Sequence, residues 1–492
     1  MRFAGLPVEL HSRLDVEQFT KHEEQIMNVQ IPNDVYKLFE DLYSEYGKED
    51  AIFNEDPIKY INNSSFIIGG TLGPSSKDEF EEIERRKELE IPTVQQFHKS
   101  KKTVCITRTV SEKLIRSNQL RCLSEEGHNL VDCIAFQYIN ELLSITHFPD
   151  EAEQRKLLQK IICNKIINFK AEFEKYEFKF PVFVMGLDKN IELYQSISLI
   201  NESDLSLDDE SVEQYMHTRT FKPNYNINIL SNVKASYKYS TDRAMRAKEA
   251  AINILQALHG STFGNTASEG PFVKDSDRQP HYMTFFLAGI RGRELTDNSS
   301  YHFNYNKKSS EKFWDLFENS LSSEAKLHNL LFSVPDKILN NADFDKSLGG
   351  LIERSLRWLA DAINEDNNET RIVKLAVAIE SLINFKSDSK RSDIDSDRFK
   401  DTFIRRTIAI NTYQDNVESK AIELYNARSS IAHGSPLKKG LSFDAVLFTA
   451  TTVILAIQLF STFKSKGIDE VGFDKTLPQY IDGFGQLSDP KP

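Results

Sequence analysis

Arg428 and His433 stand five residues apart in the run Tyr425-Asn-Ala-Arg-Ser-Ser-Ile-Ala-His-Gly434. A guanidinium is a permanent cation, and an imidazole can take or give a proton near neutral pH, so the pair is suited to acid–base chemistry beside a fixed positive charge. Arg428 falls on the apolar stripe Ala421, Leu424, Tyr425 and Ile431, where a cation is costly unless it is paired or faces a cleft. Asn426, Ser429 and His433 follow at helical spacings on a neighbouring face. On an unbroken helix Arg428 and His433 are about 140° apart. They converge only if the helix ends near His433 or if two chains pool their residues. Gly434 is placed to cap a helix C-terminus and Pro436 forbids continuation, at a position where the helix dipole favours positive charge. A core arginine salt-bridged to Glu380, with a capping histidine, would satisfy the same local pattern.

The elements that must position this pair are helical. From residue 312 onward the apolar spacing predicts helices over Lys312–Asn319, Leu348–Ile363, Arg371–Asn384, Arg398–Ile410, Val417–Ala432 and Phe443–Phe463. Together they form an all-α bundle spanning 312–475, followed by a tail over 476–492. Residues 385–397 read as a polar loop and 306–311 as a linker. Between Arg398 and Gly440 eight Lys or Arg face four Asp or Glu, a local balance of +4 in a chain of net charge −12. Arg405, Arg406, Lys438 and Lys439 are the candidate contacts to a nucleic-acid backbone.

Residues 1–310 read as a mixed α+β region with room for a second break within 110–175, so the fold class is multidomain α+β. Helical periods run over Val35–Tyr46, Glu79–Glu90 and much of 110–176. Phe180–Gly186 and Ile191–Ile200 read as a pair of strands turning at Asp188-Lys-Asn190. Tyr225–Leu230, Lys234–Tyr239, Tyr282–Leu287 and Tyr301–Tyr305 read as further strands, with a helix over Arg243–Leu258. Ser65–Pro74 is an apolar strand entering a Gly-rich turn that lacks the pattern of a phosphate-binding loop.

The acidic total argues against a protein that coats nucleic acid non-specifically, but leaves room for a small, locally basic site. Four cysteines without a CxxC pair make neither a disulfide scaffold nor a zinc site, and they read as reduced, mostly buried thiols. No metal or other cofactor is implied. The first residues contain no apolar signal core, which fits a cytoplasmic protein. Ala445–Phe463 carries no charge over 19 residues, close to a membrane span. Its threonines, serine and glutamine fit a buried core helix better.

Residues 348–465 resemble the ApeA-like HEPN family of bacterial anti-phage defence. Arg357-Trp-Leu-Ala-Asp-Ala-Ile363 resembles the family's first helix, and Arg371–Leu382 the second, with Glu380 at its acidic position. Leu424–Gly434 resembles the motif helix, although Ser429 stands where many members have Asn, Asp or His. The resemblance implies a metal-independent ribonuclease in which the substrate's own 2′-hydroxyl attacks the adjacent phosphate. His433 would move the proton and Arg428 would bind the phosphate, with Glu380, Asn426 and Ser429 in support. It also implies a homodimer, an RNA substrate drawn from tRNA or from phage or host transcripts, a phage-derived trigger, abortive infection, and a sensing or restraining role for residues 1–310. The competing expectations are a non-catalytic HEPN module that dimerises or binds nucleic acid or nucleotides, and a membrane-associated effector using residues 445–463.

Overall fold

The computed structural model describes residues 29–55, 66–67, 98–99, 101–144, 149–182, 184–204, 225–264, 285–287, 293–294, 307–385, 396–412, 414–437, 439–465 and 473–487. The chain divides into two compact units. One holds residues 1–174 and 234–239. The other holds 175–233 and 240–492, so the division falls at 174–175, at the end of the 110–175 stretch where a second break was allowed for, and not at 310–312. The expected helix over Glu79–Glu90, the Gly-rich turn after Ile67, the strand Tyr301–Tyr305, most of the polar loop 385–397 and Lys438 lie outside the described residues.

Among the described residues, the first unit is helical, with one short antiparallel pair. Its helices are α1 (Asn33–Glu55), α2 (Lys101–Asn118), α3 (Ser124–Ser144) and α4 (Glu151–Ala171); the strands are β1 (Phe66–Ile67) and β2 (His98–Lys99). Apolar residues at three- and four-residue spacing give each helix one buried face: Val35, Phe39 and Leu42; Val110 and Leu114; Val131, Ile134 and Tyr138; Leu158, Ile162 and Ile166. Asp150 opens α4 with a reciprocal capping box to Glu153. The thiols are free, and only Cys122 and Cys163 are buried; Cys105 and Cys133 are exposed, unlike the mostly buried set expected.

The second unit joins an antiparallel sheet to helices. Its first strands are β3 (Glu177–Val182), β4 (Ile191–Tyr194), β5 (Ile197–Asn201) and β6 (Tyr225–Leu230). After helix α5 (Tyr237–Phe263) come the short strands β7 (Phe285–Leu287) and β8 (Arg293–Glu294), and the spatial order is β4-β5-β6-β3-β7-β8. The hairpin expected around Asp188-Lys-Asn190 is not formed. β3 pairs with β6 and β7 instead, while Ile191–Ile200 folds on itself as β4 and β5 about Gln195-Ser196. Lys234–Tyr239 is no strand either: Ala235 makes an isolated bridge to Glu174 and α5 begins at Tyr237. Alternation along β3, β5 and β6 buries Phe178, Phe180, Ile197, Leu199, Tyr225, Ile227 and Ile229 on one face.

Among the described residues, seven helices run from 307 in place of a linker: α6 (Lys307–Ser323), α7 (Ala325–Asn340), α8 (Leu348–Ile363), α9 (Asn368–Ile383), α10 (Ser396–Ile410), α11 (Val417–Ala432) and α12 (Ala445–Ser465). An eighth, α13 (Phe473–Leu487), occupies most of the expected tail, with Leu477 and Ile481 fully buried. Helix α7, which contains Pro335, is not among the expected helices. Polar contacts tie the sheet and the loop after β3 to α6 and α7. Trp314 Nε1 donates to the Met185 carbonyl at 2.9 Å, Ser196 Oγ to Asp336 at 2.6 Å, and Lys189 pairs with Glu318 at 2.7 Å. These bonds are one reason the sheet belongs with the bundle rather than with the N-terminal helices. Helix α12 lies against α7, α8, α9 and α10. It is long and apolar enough to cross a membrane, yet Phe448, Thr449, Thr452, Val453, Ala456, Ile457 and Phe460 are buried within this unit.

His259 of α5 is fully buried between Phe263 and Phe313, and neither ring nitrogen has a hydrogen-bond partner. Burial pushes the imidazole down to about 4. The unfolded chain therefore binds this proton more readily, so stability is full above about pH 6.5 and falls toward pH 4. At pH 4.5 the loss due to His259 is about 2–3 kcal/mol. In urea melts, His259→Leu should be spared this part of the acid loss, and its stability relative to the unsubstituted protein should rise by that amount between pH 7 and 4.5. Parallel curves for the two proteins would contradict the assignment.

Candidate functional site

Helices α9, α10 and α11 bring Glu380, Arg428, Tyr425 and Phe403 together. Helix α9 starts at Asn367, whose side chain accepts from the Thr370 amide, and it buries Ile372, Leu375, Ala376, Ile379, Leu382 and Ile383. Glu380 lies beside this apolar face near the C-terminal end of the helix. Its carboxylate is only 15% exposed and accepts from Arg428 Nη2 at 3.1 Å. Burial holds the Glu380 carboxyl above the usual range, with the Arg428 guanidinium acting in the opposite sense.

Helix α11 buries Val417, Ala421, Leu424 and Ala427, while Tyr425 and Ile431 are half-buried. Arg428 therefore borders the buried stripe rather than lying on it, and its side chain keeps 31% exposure. Its guanidinium carbon sits 5.9 Å from the centre of the Tyr425 ring, and that ring rests against Phe403 of α10 at 5.3 Å. With one edge on Glu380, the remaining N–H donors of the fork can serve an oxyanion.

Helix α11 ends at Ala432 with His433 as its C-cap. Gly434 takes φ +78°. Its N–H donates to Ile431 O at 2.9 Å and that of Ser435 to Ser430 O at 2.9 Å, the two bonds of a Schellman cap. No Cβ is tolerated cheaply at that φ, which is what the glycine supplies. The His433 ring is exposed, and no hydrogen bond or ion pair links it to Arg428 among the described residues. The chain beyond it is pinned twice. Leu437 N donates to Glu369 of α9 at 2.8 Å; Ser442 donates to Glu423 of α11 from N at 2.8 Å and Oγ at 2.6 Å. The helix end that carries His433 is thus tied back to the helices that carry Arg428 and Glu380.

Of the supporting candidates, Asn426 is exposed and Ser429 half-buried. Lys439 is exposed. Arg406 is corrected outright. It is 2% exposed, donates from Nε to Asp482 at 2.9 Å, caps the Ile383 carbonyl and lies over the Phe385 ring at 5.4 Å, so it cannot meet a phosphate at the surface. Arg405 keeps 51% exposure but shares Asp482. Because Asp482 stands outside the window from 398 to 440, the local basic balance is weaker than the sequence window suggests. Tyr425 and Asp482 are contacts that sequence reasoning assigned to a core stripe and to a tail. The signal for Asp482 is the helical spacing of Phe473, Leu477 and Ile481.

Among the described residues, no group of three or more His, Cys, Asp or Glu side chains is placed to hold a metal ion. No family model, curated protein or solved structure matches the chain.

Proposed function

We propose that the chain is a HEPN-type endoribonuclease that works without a metal and acts as a homodimer in the cytoplasm. The observation that carries the reading is a half-buried arginine, fixed by a buried carboxylate, on a helix that stops at an exposed histidine. In the reaction, His433 takes the proton of a ribose 2′-hydroxyl, and the 2′-oxygen bonds to the adjacent phosphorus. The bond from phosphorus to the 5′-oxygen breaks, and that oxygen receives a proton from His433 of the second protomer. The products are a 2′,3′-cyclic phosphate and a 5′-hydroxyl. Arg428 neutralises the extra charge on the phosphoryl oxygens in the transition state, where a planar fork of donors is most effective. A dimer is invoked because the single imidazole at the end of each motif helix serves one proton transfer at a time. The biological reading is anti-phage defence by abortive infection, acting on tRNA or on phage or host transcripts. Residues 1–310 would sense a phage-derived trigger.

The test is to incubate the full chain with total RNA in EDTA, with and without phage extract. Cleavage should survive chelation, leave 2′,3′-cyclic phosphate ends, and disappear in Arg428→Ala and His433→Ala. Cleavage that persists unchanged in both variants refutes the site. Binding of RNA or nucleotide without cleavage under any of these conditions identifies a non-catalytic module, in which the Glu380 pair and the His433 cap serve only the fold.

A further inference from the structure

We infer that Tyr425 is a positioning residue, whose ring sets the plane and reach of the Arg428 guanidinium; its kinetic test rests on the ribonuclease reading. The two residues are three apart on α11, so Tyr425 lies one turn below Arg428 on the same side of the helix. The ion pair with Glu380 fixes only one edge of the guanidinium. That carboxylate is more buried than the arginine, so its pull is toward the interior. The Tyr425 ring supplies a second constraint, because the guanidinium carbon stands over its negative face at 5.9 Å. The ring is itself held: Phe403, fully buried on α10, meets it at 5.3 Å with the planes inclined at 50°. The order of support thus runs from the core outward through Phe403, Tyr425 and Arg428, with Glu380 closing the other side. Burial and the nearby Glu380 carboxylate push the phenol up, so it stays neutral and keeps the ring face attractive to a cation. A guanidinium held by edge and face meets the phosphoryl oxygens where charge develops, and does not have to be ordered during the reaction.

The constraint predicts a loss in kcat with little change in KM, because ground-state RNA binding is spread over many contacts. In the full-length protein, Tyr425→Leu should lower kcat for RNA cleavage by about 10–30-fold with KM within about twofold. Tyr425→Phe, which keeps the ring, should restore kcat to within about threefold. In an Arg428→Ala background, Tyr425→Leu should cause no further loss, since its effect runs through the arginine. The inference is overturned if Tyr425→Leu cuts as the unsubstituted protein does, if Tyr425→Phe is as damaged as Tyr425→Leu, or if the loss persists undiminished without Arg428. Should the unsubstituted protein cut no RNA at all, the ribonuclease reading fails separately. The positioning is then judged by thermal melting of Tyr425→Leu, Arg428→Met and the double variant. Losses in Tm smaller than additive support the contact, and additive losses overturn it.

Discussion

Arg428→Ala is expected to lower kcat for RNA cleavage by about 10²–10³-fold, the range for deleting one donor to a developing oxyanion. His433→Ala should cost about 10²–10⁴-fold, the range for a general acid or base. The two losses should not multiply, because groups that act as a unit are not independent. Arg428→Lys is the sharper probe. It keeps the charge but loses the planar fork, so one nitrogen must serve both Glu380 and the phosphate. It should stay close to Arg428→Ala in kcat and remain folded in near-ultraviolet circular dichroism. Near-normal cleavage by Arg428→Lys would mean that charge alone suffices and that the Glu380–Arg428–Tyr425 geometry has no part in the reaction. Glu380→Gln separates orientation from neutralisation. A glutamine oxygen can still accept from Nη2, so retained activity in this variant assigns Glu380 to orientation, and lost activity assigns it to setting the charge on Arg428.

What the sequence could convey depended on how local the cause was. The end of α11 was legible because its determinants are adjacent: Gly434 supplies a positive φ, Pro436 forbids continuation, and the apolar spacing stops. Glu380 as partner of Arg428 came from the family resemblance and from the cost of a lone buried cation, and the ion pair at 3.1 Å fits that cost. The helices α8 to α12 followed from periodicity alone. The misreadings share a different feature. Strand pairing is a non-local choice, and nothing in Phe180–Gly186 says that β3 prefers β6, some forty residues away, to the strand that follows it. Pro335 and Pro478 sit inside α7 and α13, two helices not among those expected, whose packing outweighs the lost hydrogen bond. Arg406 looked like its neighbour Arg405 in sequence. One residue of rotation on α10 places the first in the interior and leaves the second half in solvent.

That difference gives the largest expected effect on stability. Arg406→Ala should destabilise the second unit by about 3–5 kcal/mol, the range for breaking a buried charge pair from one side. Three things are lost together. The Ile383 carbonyl at the end of α9 loses its cap, the Phe385 ring loses the cation over its face, and a fully buried volume is left empty. Asp482 loses its bond to Arg406 and keeps the one to Arg405. Burial pushes its carboxyl up, but hydrogen bonds from Arg406 and Arg405 outweigh burial and hold it below the usual range. Its contribution is therefore present above the ordinary carboxylate pKa of about 4 and is lost as pH falls below it. Arg405→Ala removes a half-exposed partner of the same carboxylate and should cost no more than about 1 kcal/mol. Urea titration of the two variants reads the contrast directly, and their RNA affinities should move the other way. Arg405→Ala weakens binding and flattens its salt dependence if Arg405 meets a phosphate, whereas Arg406→Met, which refills the volume without the charge, leaves binding unchanged. Equal stability losses for Arg405→Ala and Arg406→Ala would refute the burial argument. A salt-dependent loss of RNA binding in Arg406→Met would return that arginine to the surface, where its sequence neighbours had first placed it.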